Sequence, residues 1–258
     1  MRRTLRRRPL LALALLPPGR AAAEPAPLVA AAADLSFALE EIAARFRAET
    51  GLPLRLSFGS SGNIARQIEQ GSPVELFLSA DEAYVVRLQA GGHTRDGGAL
   101  YAIGRIALFA PHGSPIRVEA GLQGVAEALS AGRIRRFAIA NPEHAPYGRA
   151  AMQALRNAGL WETIRPHLVF GENVAQAAQF ALAGGSQGGI VAYSLVLAPA
   201  LQGRGQHMLL PDSLHDPLRQ RMVLTRRAGR AAERFHAFLQ EPQAREILRR
   251  HGFALPGE

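Results

Sequence analysis

Phe58-Gly59-Ser60-Ser61-Gly62-Asn63-Ile64-Ala65-Arg66-Gln67-Ile68, followed by Val74-Glu75-Leu76-Phe77-Leu78-Ser79-Ala80-Asp81, is a β-run that ends in two serines and a glycine and passes directly into a helix pattern. The first N–H groups of a helix have no carbonyl partner, and the aligned peptide dipoles place roughly half a positive charge at that end. Serine hydroxyls can donate to the same point, and the glycines let backbone approach it closely. Such a turn holds an oxyanion without a charged side chain.

Outward from this turn, β-like runs alternate with amphipathic helix patterns, the signature of an α/β protein with largely parallel sheet. Strands are expected at 28–33, 54–58, 74–79, 105–110, 137–140, 167–170, 189–193 and 222–225. The first leads into Leu35, Ala38, Leu39, Ile42, Ala43 and Phe46, which fall on one helical stripe. Further helices are expected at 63–70, 82–90, 123–131, 149–158, 174–183, 231–239 and 242–250. Gly91-Gly92, Gly97-Gly98 and Gly184-Gly185 mark turns. No internal repeat and no obvious cut into two consecutive domains is visible, as expected if one lobe is inserted into the other.

The 258 residues, 48% hydrophobic and 20% charged, suit a globular protein with one large core or two moderate ones. A pI near 11.2 points, taken alone, to a nucleic-acid partner. The distribution of charge points elsewhere. Arg2, Arg3, Arg6, Arg7 and Arg8 precede the apolar run from Pro9 to Pro17, and Ala21-Ala22-Ala23 supplies small residues before Glu24. This order reads as a secretory signal peptide over 1–23, the alternative being a basic, disordered N-terminus; the apolar run is too short to span a bilayer. Removing it takes away six arginines and no acid, so the formal charge falls from +9 to +3. Nucleic-acid binding thereby loses its main support. With no cysteine, thiol chemistry, disulfides and a lipoprotein-type anchor are excluded. An exported protein of this kind fits a bacterial periplasm.

Ala31-Ala32-Ala33-Asp34-Leu35, Phe58-Gly59-Ser60-Ser61-Gly62, Leu78-Ser79-Ala80-Asp81, Tyr101-Ala102-Ile103-Gly104-Arg105, Asn141-Pro142-Glu143-His144-Ala145-Pro146-Tyr147-Gly148, Glu172-Asn173-Val174, Gly189-Ile190-Val191-Ala192 and Gly252-Phe253 occur in this order across residues 27–255. The ordered set resembles the periplasmic molybdate-binding proteins of ABC transporters. The resemblance implies a two-lobe α/β solute-binding protein of type II, with two crossover segments and the anion in the cleft between lobes that close by a hinge. By analogy lobe one is 24–103 plus 194–258 and lobe two is 104–193. It also implies no cofactor, a membrane permease as partner, and a monomer.

Carried over by residue, the resemblance puts first-lobe ligand contacts at the turn around Asp34 and at Ser61, and second-lobe contacts at Tyr147 and the backbone N–H of Val174. Molybdate would be held as an oxyanion, through Ser61 and Val174 among others. Ala33 and Asp34 stand where family members often carry a Ser or a Thr-Asn pair. An ionised Asp aimed at a dianion is strongly unfavourable, so Asp34 is expected to cap the following helix with its carboxylate and offer the ligand only its backbone N–H. Ser36 is a substitute hydroxyl. A tyrosine used by one branch after the Gly-Ile-Val strand has its counterpart at Tyr193, one residue late; on a strand that slip reverses the side chain, which favours Tyr147. Ser61 alone also reads as a helix N-cap, and His144, Arg133, Arg135, Arg136, Arg226 and Arg227 read as structural or surface residues.

A site made of donors alone suits molybdate and tungstate, which are bare dianions near neutral pH. Phosphate keeps a proton there, which would lack an acceptor, at a cost of about 1–3 kcal/mol. Donor chemistry does not separate molybdate from sulfate, which is also a bare dianion; that choice rests on cavity size, so a receptor for another tetrahedral oxyanion stays open. An exported serine hydrolase finds little support, because Gly59-Ser60-Ser61-Gly62-Asn63 departs from G-x-S-x-G at its last position. A ligand-sensing half of a transcription regulator is disfavoured by the missing helix-turn-helix and by the leader.

Overall fold

The computed structural model describes residues 25–183 and 185–257, so the expected leader at 1–23 lies outside the described residues. The strands are β1 (Leu28–Ala32), β2 (Arg55–Gly59), β3 (Val74–Ser79), β4 (Ala99–Gly104), β5 (Ile106–Pro111), β6 (Phe137–Ala140), β7 (Leu168–Gly171), β8 (Gly188–Ala192), β9 (Gly205–Leu209) and β10 (Leu218–Leu224). The helices are α1 (Ser36–Thr50), α2 (Ser61–Glu69), α3 (Glu82–Ala90), α4 (Gln123–Ser130), α5 (Pro146–Asn157), α6 (Trp161–Ile164), α7 (Val174–Leu182), α8 (Tyr193–Val196), α9 (Arg230–Phe238) and α10 (Pro242–Arg250).

The strands form two five-stranded sheets, β2-β1-β3-β10-β4 and β7-β6-β8-β5-β9. Both are mixed rather than largely parallel. In the first, β1 runs parallel to β2 and β3, while β10 runs antiparallel to β3 and β4. In the second, β6 runs parallel to β7 and β8, while β5 runs antiparallel to β8 and β9. The parallel strands β1 and β6 are buried nearly throughout, and their sequences, LVAAA and FAIA, are accordingly continuous apolar runs.

The helical stripe after β1 packs as its spacing predicts. Ala38, Leu39, Ile42 and Phe46 are buried on one face of α1. Phe46 meets Phe235 and Phe238 of α9 edge-on, with ring centroids 5.0 and 5.4 Å away. The helix ends at Gly51, whose φ of 72° is left-handed and whose N–H donates to the Arg47 carbonyl at 2.9 Å.

Two strands escape the sequence pattern. β4 follows the Gly97-Gly98 turn, whose punctuation masks the short run behind it. β9 is an edge strand, exposed at its three middle residues, so it carries no apolar run. Ala107 of β5 lies opposite Leu209 of β9, so the second sheet takes in a strand from beyond residues 104–193. By strand membership the chain passes from the first sheet to the second between Gly104 and Ile106 and returns between Leu209 and Leu218. Tyr193, expected to end a strand, opens the short helix α8 instead. Among the described residues, no helix is long and apolar enough to cross a membrane.

Candidate functional site

Four strand ends bring their following turns to one place. The 3₁₀ turn Ala33–Leu35 after β1, the Ser60-Ser61 turn after β2, the start of α5 beyond β6 and the start of α7 after β7 surround a pocket between the sheets. Its lining includes Asp34, Ser60, Ser61, Tyr147 and Val174, with Ala80 from the end of β3. About 190 Å³ of empty space lies within it, open solvent at its mouth included. No lysine, arginine or histidine lines it. Among the described residues, no group of three or more His, Cys, Asp or Glu side chains could hold a metal ion.

Ser61 is fully buried and is the first residue of α2, while Ser60 occupies the N-cap position with extended backbone and no side-chain cap bond. The Ser61 hydroxyl accepts the Ala80 N–H at 2.9 Å. A hydroxyl that has accepted one bond still has its own proton to give. At α7, Asn173 caps the helix by accepting the Gln176 N–H at 3.0 Å, which leaves the N–H groups of the first turn, that of Val174 among them, without intrahelical acceptors. Asn173→Ala is expected to lower stability by about 0.5–2 kcal/mol. Urea unfolding checks this, and an unchanged midpoint would show that the cap is idle.

Asp34 departs from the sequence expectation. Its carboxylate caps no helix, because neither the 3₁₀ turn nor α1 receives a side-chain cap bond. Instead Oδ2 accepts the Tyr147 hydroxyl at 2.9 Å and the Gln220 amide at 2.7 Å, while Oδ1 is buried with no partner. The physical reason is placement: with the residue 1% exposed, its side chain is turned inward, where Tyr147 and Gln220 supply the donors it needs. Burial, outweighing those two hydrogen bonds and a weaker contact with the residue's own backbone N–H, raises the Asp34 carboxyl from its ordinary 3.8 to about 6. Burial and the Asp34 charge hold the Tyr147 and Tyr101 phenols well above their ordinary range.

Gln220 was not legible as a site residue. It is fully buried, receives the Tyr101 hydroxyl on Oε1 at 2.7 Å, and lies 3.1 Å from the Tyr147 hydroxyl. The available signal was a glutamine at an inward position of an alternating strand, sharing its face with Leu218 and Met222. Ser36 and Tyr193 do not line the pocket. The Tyr193 ring faces His207, 6.1 Å between centroids, and the Arg105 guanidinium, 5.7 Å away.

His144 is more than a turn residue. Its carbonyl accepts the Gly62 N–H at 2.9 Å, and its Nδ1 lies 3.0 Å from the Ser60 hydroxyl. Glu172 lies 3.6 Å from its Nε2 and also accepts from Asn63. The Ser60, His144 and Glu172 order superficially suggests a nucleophile, base and acid, but Glu172 is 61% exposed and beyond hydrogen-bond distance. The three residues instead clasp the turn after β2 to the loops after β6 and β7. Arg149 of α5 adds a second clasp, pairing with Asp81 and donating to the Tyr84 hydroxyl at 2.9 Å. Arg133, Arg135, Arg136, Arg226 and Arg227 are exposed, as expected.

Two mixed α/β lobes meeting at a pocket lined by helix N-termini, the Ser60 and Ser61 hydroxyls and the Asp34 carboxyl make up a solute receptor. Residues 27–254 match the model of the bacterial extracellular solute-binding proteins. The chain is 35% identical to the molybdate-binding protein ModA of Rhodobacter capsulatus, over 88% of this chain and 87% of that one. The periplasmic molybdate-binding protein of Azotobacter vinelandii superposes with a TM-score of 0.80 at 31% identity, covering 89% of this chain and 99% of that one. The sulfate-binding protein SubI of Mycobacterium tuberculosis shares the fold, with a TM-score of 0.74 at 16% identity, over 90% and 87% of the two chains. The chain belongs to the bacterial extracellular solute-binding protein family, in its ModA branch.

Proposed function

We propose that this protein captures molybdate, and tungstate with it, in the pocket between its lobes and delivers it to the permease of an ABC transporter. The observation that carries this reading is the donor set: the Ser61 hydroxyl and helix N-termini from both sheets converge on a pocket without a cationic side chain. Such a set binds a bare dianion through its oxo groups, and no residue coordinates the metal. The protein acts as a monomeric periplasmic receptor, exported by the basic leader at 1–23, and performs no chemistry on its cargo.

Thermal unfolding of the anion-free protein against molybdate, tungstate, sulfate and phosphate tests the reading. Ligand at a hundred times its dissociation constant adds about 2.7 kcal/mol, which raises the midpoint of a protein this size by roughly 5–11 °C. A rise with molybdate and tungstate alone is the expected result. No rise with either would overturn it, and a rise with sulfate would favour the wider oxyanion receptor. Ser61→Ala is expected to weaken molybdate binding by about 1.5–3 kcal/mol, the range for a hydrogen bond to a charged partner. Unchanged affinity in a titration would confine Ser61 to its bond with Ala80.

A further inference from the structure

We propose that Asp34 enters the ligand-bound state as a neutral carboxylic acid whose proton is donated to the bound dianion, so that anion capture takes up one proton. The inference rests on the reading of the pocket as a dianion site. Its observation is the uneven use of the two carboxyl oxygens. Oδ2 accepts two hydrogen bonds, while Oδ1 is buried, unpartnered and part of a residue that lines the pocket. A carboxylic acid has this distribution: its carbonyl oxygen accepts, and its hydroxyl donates.

The surroundings favour the acid form once an anion arrives. Tyr147 faces Asp34 from α5 and Gln220 from β10, and both are uncharged. Tyr101 of β4 reaches Asp34 through Gln220 and, like Tyr147, is kept neutral by burial. Ser194 of α8 donates to the Asp34 carbonyl at 2.8 Å. None of these brings a positive charge, and no cationic side chain lines the pocket. Like charges a few ångströms apart in such a poorly solvated place repel strongly. The complex therefore forms from the dianion, the Asp34 carboxylate and one proton from solvent. The proton joins Oδ1 and hydrogen-bonds to an oxo group, and no bond to the metal is made or broken. The imidazole behind Ser60 belongs to His144, so its own contribution has to be separated.

Isothermal titration with molybdate at pH 8, in buffers of different ionisation enthalpy, counts the protons directly. The expected result is close to one proton taken up per anion. Over about pH 6.5–8.5 the dissociation constant rises nearly tenfold for each unit. Asp34→Asn, whose amide can donate where the acid did, is expected to bind without proton uptake and with a dissociation constant flat over the same range. Molybdate binding with no proton uptake in the wild-type protein overturns the inference while leaving the receptor reading intact. Uptake that persists in Asp34→Asn overturns it in favour of another group, His144 first. Tighter binding of phosphate than of molybdate, without uptake, overturns it in favour of an ionised Asp34 accepting the ligand's own proton. If neither molybdate nor tungstate binds at any pH, the receptor reading itself falls, and the inference falls with it.

Discussion

Gly62→Val is expected to weaken molybdate binding by about 3–6 kcal/mol while the unliganded protein stays folded. A Cβ at Gly62 would stand 2.7 Å from the His144 carbonyl oxygen and 3.0 Å from its Cα, both backbone atoms of the opposing lobe. The Tyr84 hydroxyl, 2.8 Å away, belongs to a side chain that can move. The backbone at Gly62 is helical and within reach of any residue, so the clash falls on the closed arrangement and not on α2. Lobes held apart cannot bring the backbone N–H groups of Tyr147 and Val174, in the uncapped first turn of α5 and at the start of α7, to the anion. Two hydrogen bonds to a charged partner are then lost, at about 1.5–3 kcal/mol each. Titration measures the loss, and small-angle scattering with and without molybdate reads closure. Full affinity together with ligand-induced compaction would show that the His144 contact is dispensable.

Asp34→Asn is expected to make the unliganded protein more stable at pH 8 by about 3 kcal/mol. The Asp34 carboxyl is held near 6 in the folded protein against 3.8 ordinarily, because burial penalises its charge. Between those values the folded state holds the proton that the unfolded state has lost, so stability falls as pH rises from about 4 to about 6. Above that window the whole penalty is present, a gap of about two pK units at 1.36 kcal/mol each. Asparagine keeps an oxygen for the Tyr147 and Gln220 donors and carries no charge to bury. Urea unfolding at pH 5 and pH 8 compares the two proteins. The variant's advantage should grow with pH, and an equal advantage at both values would mean that Asp34 is not the group responsible.

The same residue marks where local sequence stops being informative. The Ser60-Ser61-Gly62 turn announces itself through a β-run, two hydroxyls and a glycine in succession, and α2 starts there, two residues before the expected Asn63. The start of α5 was likewise displaced from Arg149 to Pro146, although a proline at the first helical position is itself a start signal. These errors are small because caps and periodicity are local properties. Asp34 was expected to cap its own helix because capping is the local use of an aspartate. Its actual partners lie 113 and 186 residues away in the chain. No short-range pattern carries that information.

The sequence by itself determined the alternation of strands and helices, the amphipathic faces, and the ordered blocks that identify the family, since each rests on the spacing of neighbouring residues. Only the tertiary structure decided that both sheets are mixed, that β9 joins the second sheet, that Tyr193 opens a helix rather than ending a strand, and that His144 clasps the lobes. It alone brought Gln220 beneath Asp34 and left Oδ1 without a partner. Those outcomes depend on which strand edges meet and which buried polar groups find donors. Both are settled by long-range packing, where a polar atom shut away from water must take whatever partner the fold delivers.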